Sequence, residues 1–242
     1  MMHSVMASAR RLVLLFIALT LCGPVGVRAD DPNARSDTLW VEDFEQFEPG
    51  DVPHTWKFLR DRELRPVTEE IMNDSEWFRI REEQGRRFAR VHTEGEAIQI
   101  IHPTSKEFAW SLDRHPRLRW DWRVLEAPLE ANERESGRND TAAAVYVTFK
   151  INWLGIPRSI KYTYSSSLPV GSVVSFTGLK VLVVASGPDR FGEWLREERN
   201  LVEDYRRVYG GDPPDEPLSI ALWSDSDSVG GMSTADFDEI VL

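Results

Sequence analysis

The chain is poor in the residues that most often carry chemistry. It has one cysteine in 242 residues, Cys22, placed close to the N-terminus. The chain downstream of it therefore has no disulfide, thiol nucleophile or cysteine-ligated metal. Histidine is scarce too, and beyond the N-terminal segment only His54, His92, His102 and His115 remain. His92 and His102 flank an expected hairpin, yet no third ligand accompanies them, so a zinc site finds no support. No Gly-x-Ser-x-Gly elbow, His-Glu-x-x-His pair, glycine-rich phosphate loop or dinucleotide fingerprint occurs. Positive charge is also in deficit, with 29 Lys and Arg against 40 Asp and Glu and a formal net charge of -11. Such a surface repels nucleic acid and anionic lipid heads and favours neutral or cationic partners and divalent ions.

What the N-terminus does have is an ordered signal. Arg10 and Arg11 precede an apolar run over residues 12–22, and Val27-Arg28-Ala29 follows it. That order of charge, apolar core and small residue is a secretory signal peptide, and the run is too short to cross a bilayer. Cleavage is expected after Ala29, giving a signal over 1–29, a disordered polar leader over 30–37 and one domain over 38–242. The exported chain would be periplasmic or secreted, with no transmembrane segment once the signal is removed. A lipoprotein anchored through Cys22 is a minor alternative, because Leu21 is too large for the residue before a lipidated cysteine.

Downstream, short β-rich segments recur between clusters of Gly, Pro, Asp and Asn: residues 39–45, 87–93, 97–101, 118–124, 141–151, 159–165, 179–186, 218–224 and 235–242. Most alternate apolar with polar residues, the period of a strand with one buried face. The expected fold is all-β, a jelly-roll-like antiparallel β-sandwich. One amphipathic helix over about 193–209 interrupts it, with Trp194 and Tyr205 on its packing side, acids in its first turns, Arg206 and Arg207 in its last and Gly210-Gly211 as its stop.

These blocks, in this order, resemble a bacterial exported family, domain of unknown function 3047. The resemblance rests on "WDWRV" at 120–124, "NDTAAAVYVTF" at 139–149, "IKYTYSS" at 160–166, the tract from Trp194 to Pro214 and "SDSDSVGG" from Ser224. Asn139-Asp140 stands where the resemblance leads one to expect two aspartates, and Ser228-Val229 where it leads one to expect Asn-Thr. The likeness implies a fold and export and supplies no mechanism. "VEDFEQFEPGDVPHTW" near the start and "ADFDEIVL" at the end are loosely similar to the terminal strands of jelly-roll carbohydrate-binding modules, the galactose-binding-like ones included.

The candidate sites follow from alternation. Trp223, Asp225 and Asp227 fall on one face of a strand, an indole beside two carboxylates. That triplet suits a sugar, whose apolar face stacks on the ring while the acids accept hydroxyl hydrogen bonds. It also suits a calcium ion, and aspartate-serine alternation is equally the composition of a solvated turn. Asp140 and the helix residues Arg199 and Asn200 are expected to join this surface, or Arg199 to pair with Asp204. Trp153, in a bend with Gly155 and Pro157, is a second candidate platform, whereas Trp40, Trp120 and Trp122 are expected in the core. Near the C-terminus Asp236 and Asp238 share a row with Ile240, so Asp238 is expected to enter the core and need a partner. Asp43 and Glu45 from the first strand then complete a structural calcium site, with exposed strand-end carboxylates as the rival reading.

The function expected is a non-catalytic, exported binder of a glycan or another envelope ligand. The alternatives are a glycoside hydrolase-like enzyme using paired carboxylates and a structural subunit of an envelope assembly.

Overall fold

A computed structural model describes residues 38–60, 63–106 and 108–242; the expected signal peptide and leader lie outside the described residues. Fourteen strands and one α-helix follow one another among them: β1 (Trp40–Glu42), β2 (Lys57–Arg60), β3 (Glu63–Pro66), β4 (Glu76–Glu83), β5 (Arg86–Glu94), β6 (Ala97–Pro103), β7 (Arg117–Glu126), β8 (Thr141–Ile151), β9 (Pro157–Ser165), β10 (Val173–Ser175), β11 (Leu179–Ser186), β12 (Leu195–Asn200), α1 (Leu201–Tyr209), β13 (Ser219–Asp225) and β14 (Met232–Val241). They form a β-sandwich of two sheets. One runs β12-β7-β14-β5-β4, with β1 taking over from β5 beside the end of β14; the other runs β10-β11-β9-β8-β13-β6-β2-β3.

The core lies between the sheets and follows the period-two pattern. From the six-stranded sheet it takes Trp120, Trp122, Val124, Ala235 and Phe237; from the eight-stranded sheet, Val145, Val147, Ile160, Tyr162, Tyr164, Ile220 and Leu222. The indoles of Trp120 and Trp122 meet the rings of Tyr162 and Tyr164 across the gap, with centroids 5.5 and 6.0 Å apart. Fully burying a large apolar side chain contributes roughly 1.5–3 kcal/mol, so with no disulfide these layers carry the stability. Trp40 departs from expectation: it sits on the short edge strand β1 and is 47% exposed.

Three features differ from the sequence reading. The pairing is antiparallel except between β9 and β11, which run parallel with Leu179 opposite Ser159. The cause is β10, a three-residue strand outside β11 that carries the chain back to the end from which β9 started. The helix is shorter than expected. Leu195–Asn200 is an edge strand on β7, from Leu195 opposite Trp122 to Asn200 opposite Arg117, and the helix starts where the Asn200 carbonyl oxygen of the side chain accepts the Val202 and Glu203 amides. Tyr205 packs into the core as expected, but Trp194 lies on the outside of the six-stranded sheet over Arg86, 3.8 Å from ring centroid to guanidinium carbon. Finally, β5 and β6 do not form a hairpin. They belong to different sheets, so His92 stacks on Trp77 while His102 packs between Trp56 and Phe108.

Candidate functional site

The outer face of the eight-stranded sheet gathers most of the expected binding residues. Along β13, Ile220 and Leu222 point into the core while Ala221, Trp223 and Asp225 face out. The alternation continues through the following turn. Ser224 and Ser226 face inward and tie this edge to the other sheet, Ser224 through the Ser233 hydroxyl at 2.9 Å and Ser226 through the Thr93 hydroxyl at 3.0 Å. The aspartates are left facing out. In "SDSDS" the serines thus fasten the strand and the acids line its exposed side.

Asp225 and Asp227 meet Asp140, the residue just before β8. Each offers one carboxylate oxygen, and the three oxygens lie within 4.8 Å of one another. Asp140 is fully buried and accepts the amides of Ser228 and Val229 at 3.0 and 2.9 Å. Asp225 accepts the Asp227 amide at 3.3 Å, and Asp227 is exposed. Burial pushes the Asp225 carboxyl up to about 6; Lys161 pulls against this, and the negative charges of Asp140 and Asp227 add to it. Among the described residues this is the carboxylate set whose geometry suits a metal ion.

Beside the cluster lie two rings. Tyr146 of β8 and Trp223 are 5.6 Å apart between centroids, and the Lys161 ammonium of β9 is 5.7 Å from the Tyr146 ring. Lys161 is buried, and burial raises the Tyr146 phenol above its usual range against the pull of that ammonium. On its other side Trp223 borders a cleft of about 590 Å³ shared with Phe58, Ile71, Asn73, Glu76 and Gln99. The Trp223 indole is partly exposed, and its Nε1 has no hydrogen-bond partner among the described residues. Asn73 donates to the Glu76 carboxylate at 3.1 Å, and burial raises the Glu76 carboxyl above its ordinary value. The cleft thus offers an aromatic wall, an aliphatic floor and amide and carboxyl groups at its margin.

The other expected site residues are elsewhere. Arg199 makes a two-pronged pair with Asp204, at 2.9 and 2.6 Å, and Asp204 also accepts the Tyr162 hydroxyl at 3.0 Å. With Asn200 capping α1, both residues secure the strand-to-helix corner and make no hydrogen bond or ion pair with the aspartate cluster. Trp153 sits at the β8–β9 turn, at the opposite end of β8 from Asp140. An eleven-residue strand spans on the order of 35 Å, so Trp153 and the Asp140 cluster do not share a surface.

The four acids expected to hold calcium near the chain ends do not converge. The ends do pair, Glu42 opposite Ile240, but Asp43 and Glu45 fall in the following turn, where Asp43 accepts the Glu45 amide and Glu45 accepts the Arg87 amide. A register shift between Asp238 and Val241, with Glu239 at φ 51, reverses the parity of β14. Ile240 and Leu242 consequently face the core while Asp236 and Asp238 face out, among arginines. Asp236 is fully buried between Arg90, at 2.6 and 3.0 Å, and Arg123, at 2.8 Å. Asp238 pairs with Arg86, although burial still pushes its carboxyl up to about 7. The partner that a carboxylate needs on leaving water is a guanidinium here.

Residues 63–241 match the family described as "Protein of unknown function (DUF3047)". The chain belongs to this family. No curated protein matches it. Solved structures are similar to it at low identity. The family 30 carbohydrate-binding module of a cellulosomal cellulase of Clostridium thermocellum is 12% identical with a TM-score of 0.42, over 83% of this chain and 95% of that one. A family 12 xyloglucanase from Bacillus licheniformis is 12% identical with a TM-score of 0.37, over 80% and 96%. Endoglucanase 3 of Trichoderma harzianum, from family GH12, is 11% identical with a TM-score of 0.37, over 69% and 83%.

The sequence reading missed Lys161, Tyr146, Gln99, Asn73 and Glu76. A signal for two of them was present. In "SIKYTYS" the residues Ile160, Tyr162 and Tyr164 form the buried row, which places Lys161 on the outward row, and Gln99 stands out in the same way in "AIQII". Asn73 and Glu76 reach the cleft through a loop and the start of β4, a placement that strand alternation does not encode.

Proposed function

We propose that this is an exported, non-catalytic glycan-binding β-sandwich whose ligand lies in the cleft beside Trp223. One observation carries the reading: a partly exposed indole walls a cleft of about 590 Å³ whose margin holds Gln99, Asn73 and Glu76. A neutral sugar presents an apolar face and a ring of hydroxyls, and this pairing of aromatic surface with hydrogen-bonding groups matches both. Export rests on the residue pattern at the N-terminus. The test is retention on immobilised polysaccharides, with Trp223→Ala expected to lose about ten-fold in affinity, since the variant removes the apolar area the ring would bury against the sugar, roughly 25 cal/mol per Å². Unchanged retention in that variant would reject the cleft.

A second reading concerns calcium, and it attaches to Asp140, Asp225 and Asp227 rather than to Asp43, Glu45, Asp236 and Asp238. What favours it is the approach of three carboxylates within 4.8 Å, the arrangement of oxygens that a hard cation takes. An ion there would join the loop before β8 to the turn after β13. Thermal melts with calcium and with chelator test it, because a ligand of the folded state alone must raise the midpoint.

A further inference from the structure

The net charge of the whole chain argues against an anionic surface as partner, but the charge is not spread evenly. From Thr141 to Pro188 the sequence contains no aspartate or glutamate and four basic residues, Lys150, Arg158, Lys161 and Lys180. This acid-free stretch builds β8, β9, β10 and β11. Because β9 and β11 are parallel, the β8–β9 turn and the β10–β11 turn lie at the same end of the sandwich.

That end is apolar at its tip. Trp153 is 90% exposed, Leu154 60%, Ile151 58% and Phe176 42%. Isolated exposed apolar residues are ordinary, but four on two adjoining turns form a patch. The patch is also held in shape. The Asn152 side-chain oxygen accepts the amides of Leu154 and Ile156, both at 2.9 Å, which fixes the turn with Trp153 and Leu154 outward. Gly178, at φ 78, lies so close to the Pro157 carbonyl that no side chain fits between the two turns. The Gly178 carbonyl accepts the Ser159 amide at 2.9 Å and lies 2.9 Å from the Tyr209 hydroxyl. Two turns locked together, with their large apolar side chains outside, are built to be covered.

The basic groups stand just behind the tip. Lys150 precedes Ile151 and is exposed, while Arg158 and Lys180 lie over the Tyr209 ring at 4.9 and 5.6 Å. Acid returns beyond it, from Asp189 along the chain, at Asp212 after the helix, where it pairs with Arg206, and at Asp215 and Glu216 ahead of β13. Tryptophan, leucine, isoleucine and phenylalanine at a projecting tip, with lysine and arginine set back, is the arrangement of an interfacial anchor: apolar side chains enter the boundary of headgroup and acyl chain while cations remain among the headgroups. A projecting tip also suits a deformable surface better than a rigid pocket. We infer that the β8–β9 and β10–β11 turns dock this protein on an anionic phospholipid bilayer, independently of the cleft at Trp223.

The experiment places a polarity-sensitive dye at Leu154→Cys in the full chain carrying Cys22→Ser, so the signal reports this tip whatever the N-terminal segment does. Vesicles of phosphatidylethanolamine with phosphatidylglycerol at seven to three should shift the dye emission to the blue, and vesicles of phosphatidylcholine alone should do so far less. Lys150→Gln and Lys180→Gln should each weaken the titration about five-fold, the effect of one basic residue near an anionic surface, and salt should weaken it further. An emission maximum that stays water-like on the anionic vesicles overturns the proposal. So does a shift that appears without vesicles as protein concentration rises, which would make the tip a contact between copies, and so does an equal shift on the phosphatidylcholine vesicles. Because the readout needs no sugar, failure of the glycan reading leaves this result unchanged.

Discussion

Replacing Asp225 by asparagine should change stability in a way that depends on pH. Burial, together with Asp140 and Asp227, holds the Asp225 carboxyl at about 6 against an ordinary 3.8. A carboxyl raised on folding binds its proton more tightly in the native state, so the native state is favoured at low pH and this contribution fades as pH climbs from about 4 to about 6. Each pKa unit is 1.36 kcal/mol, which puts the cost of ionising Asp225 above pH 7 at about 2–3 kcal/mol. Asparagine keeps the shape and lacks the charge. Asp225→Asn should therefore match the parent chain in urea unfolding near pH 4 and exceed it by about 2 kcal/mol at pH 8 without calcium. If calcium binds, the order at pH 8 reverses in its presence, because the parent gains a ligand that the variant has weakened. A variant that is less stable than the parent at pH 8 in chelator would refute the reasoning, since Asp225 would then be a stabilising partner of Lys161 rather than a strained acid.

Other perturbations have equally definite outcomes. Asp236→Ala removes the shared partner of Arg90 and Arg123 and should cost about 3–5 kcal/mol in urea unfolding, the penalty of stranding buried charge. Asn200→Ala removes the cap of α1 and should cost about 1 kcal/mol with no effect on sugar retention, because the corner it holds is separate from the cleft. Asp238 and Glu197 are both raised to about 7 by burial, so the thermal midpoint of the parent chain should fall as pH goes from 5 to 8, with Asp238→Asn reducing the slope. A midpoint that rises over that range would contradict the assignments.

How far the sequence could be read depended on whether alternation stayed unbroken. In β7, Trp120, Trp122 and Val124 faced the core while Arg119, Asp121 and Arg123 faced out, and β13 behaved likewise, the alternation carrying on through the turn after it to Asp227. In β14 the extra residue at Glu239 switched the faces, so a row drawn back from Ile240 placed Asp238 on the wrong side; a bulge leaves the composition unchanged. β12 was obscured for a different reason. Its inward Leu195 and outward Arg196 merge into the helix beyond Asn200, and the combined tract imitates one helical period. Short edge strands such as β2, β3 and β10 carry too few residues for a period to show. Convergence of Asp140 with Asp225 and Asp227 followed from β8 pairing with β13, while Arg199 and Asn200 were drawn away by Asp204 and by the helix terminus.

The central claim is that Trp223 is the wall of a sugar-binding cleft. Affinity electrophoresis of the parent chain, Trp223→Ala and Trp153→Ala through gels containing a panel of soluble polysaccharides measures it most directly. The account predicts that at least one polysaccharide retards the parent and Trp153→Ala alike and leaves Trp223→Ala unretarded, with all three folded at the temperature of the gel. Equal retardation of the parent and Trp223→Ala, or no retardation of the parent by any member of the panel, would contradict it.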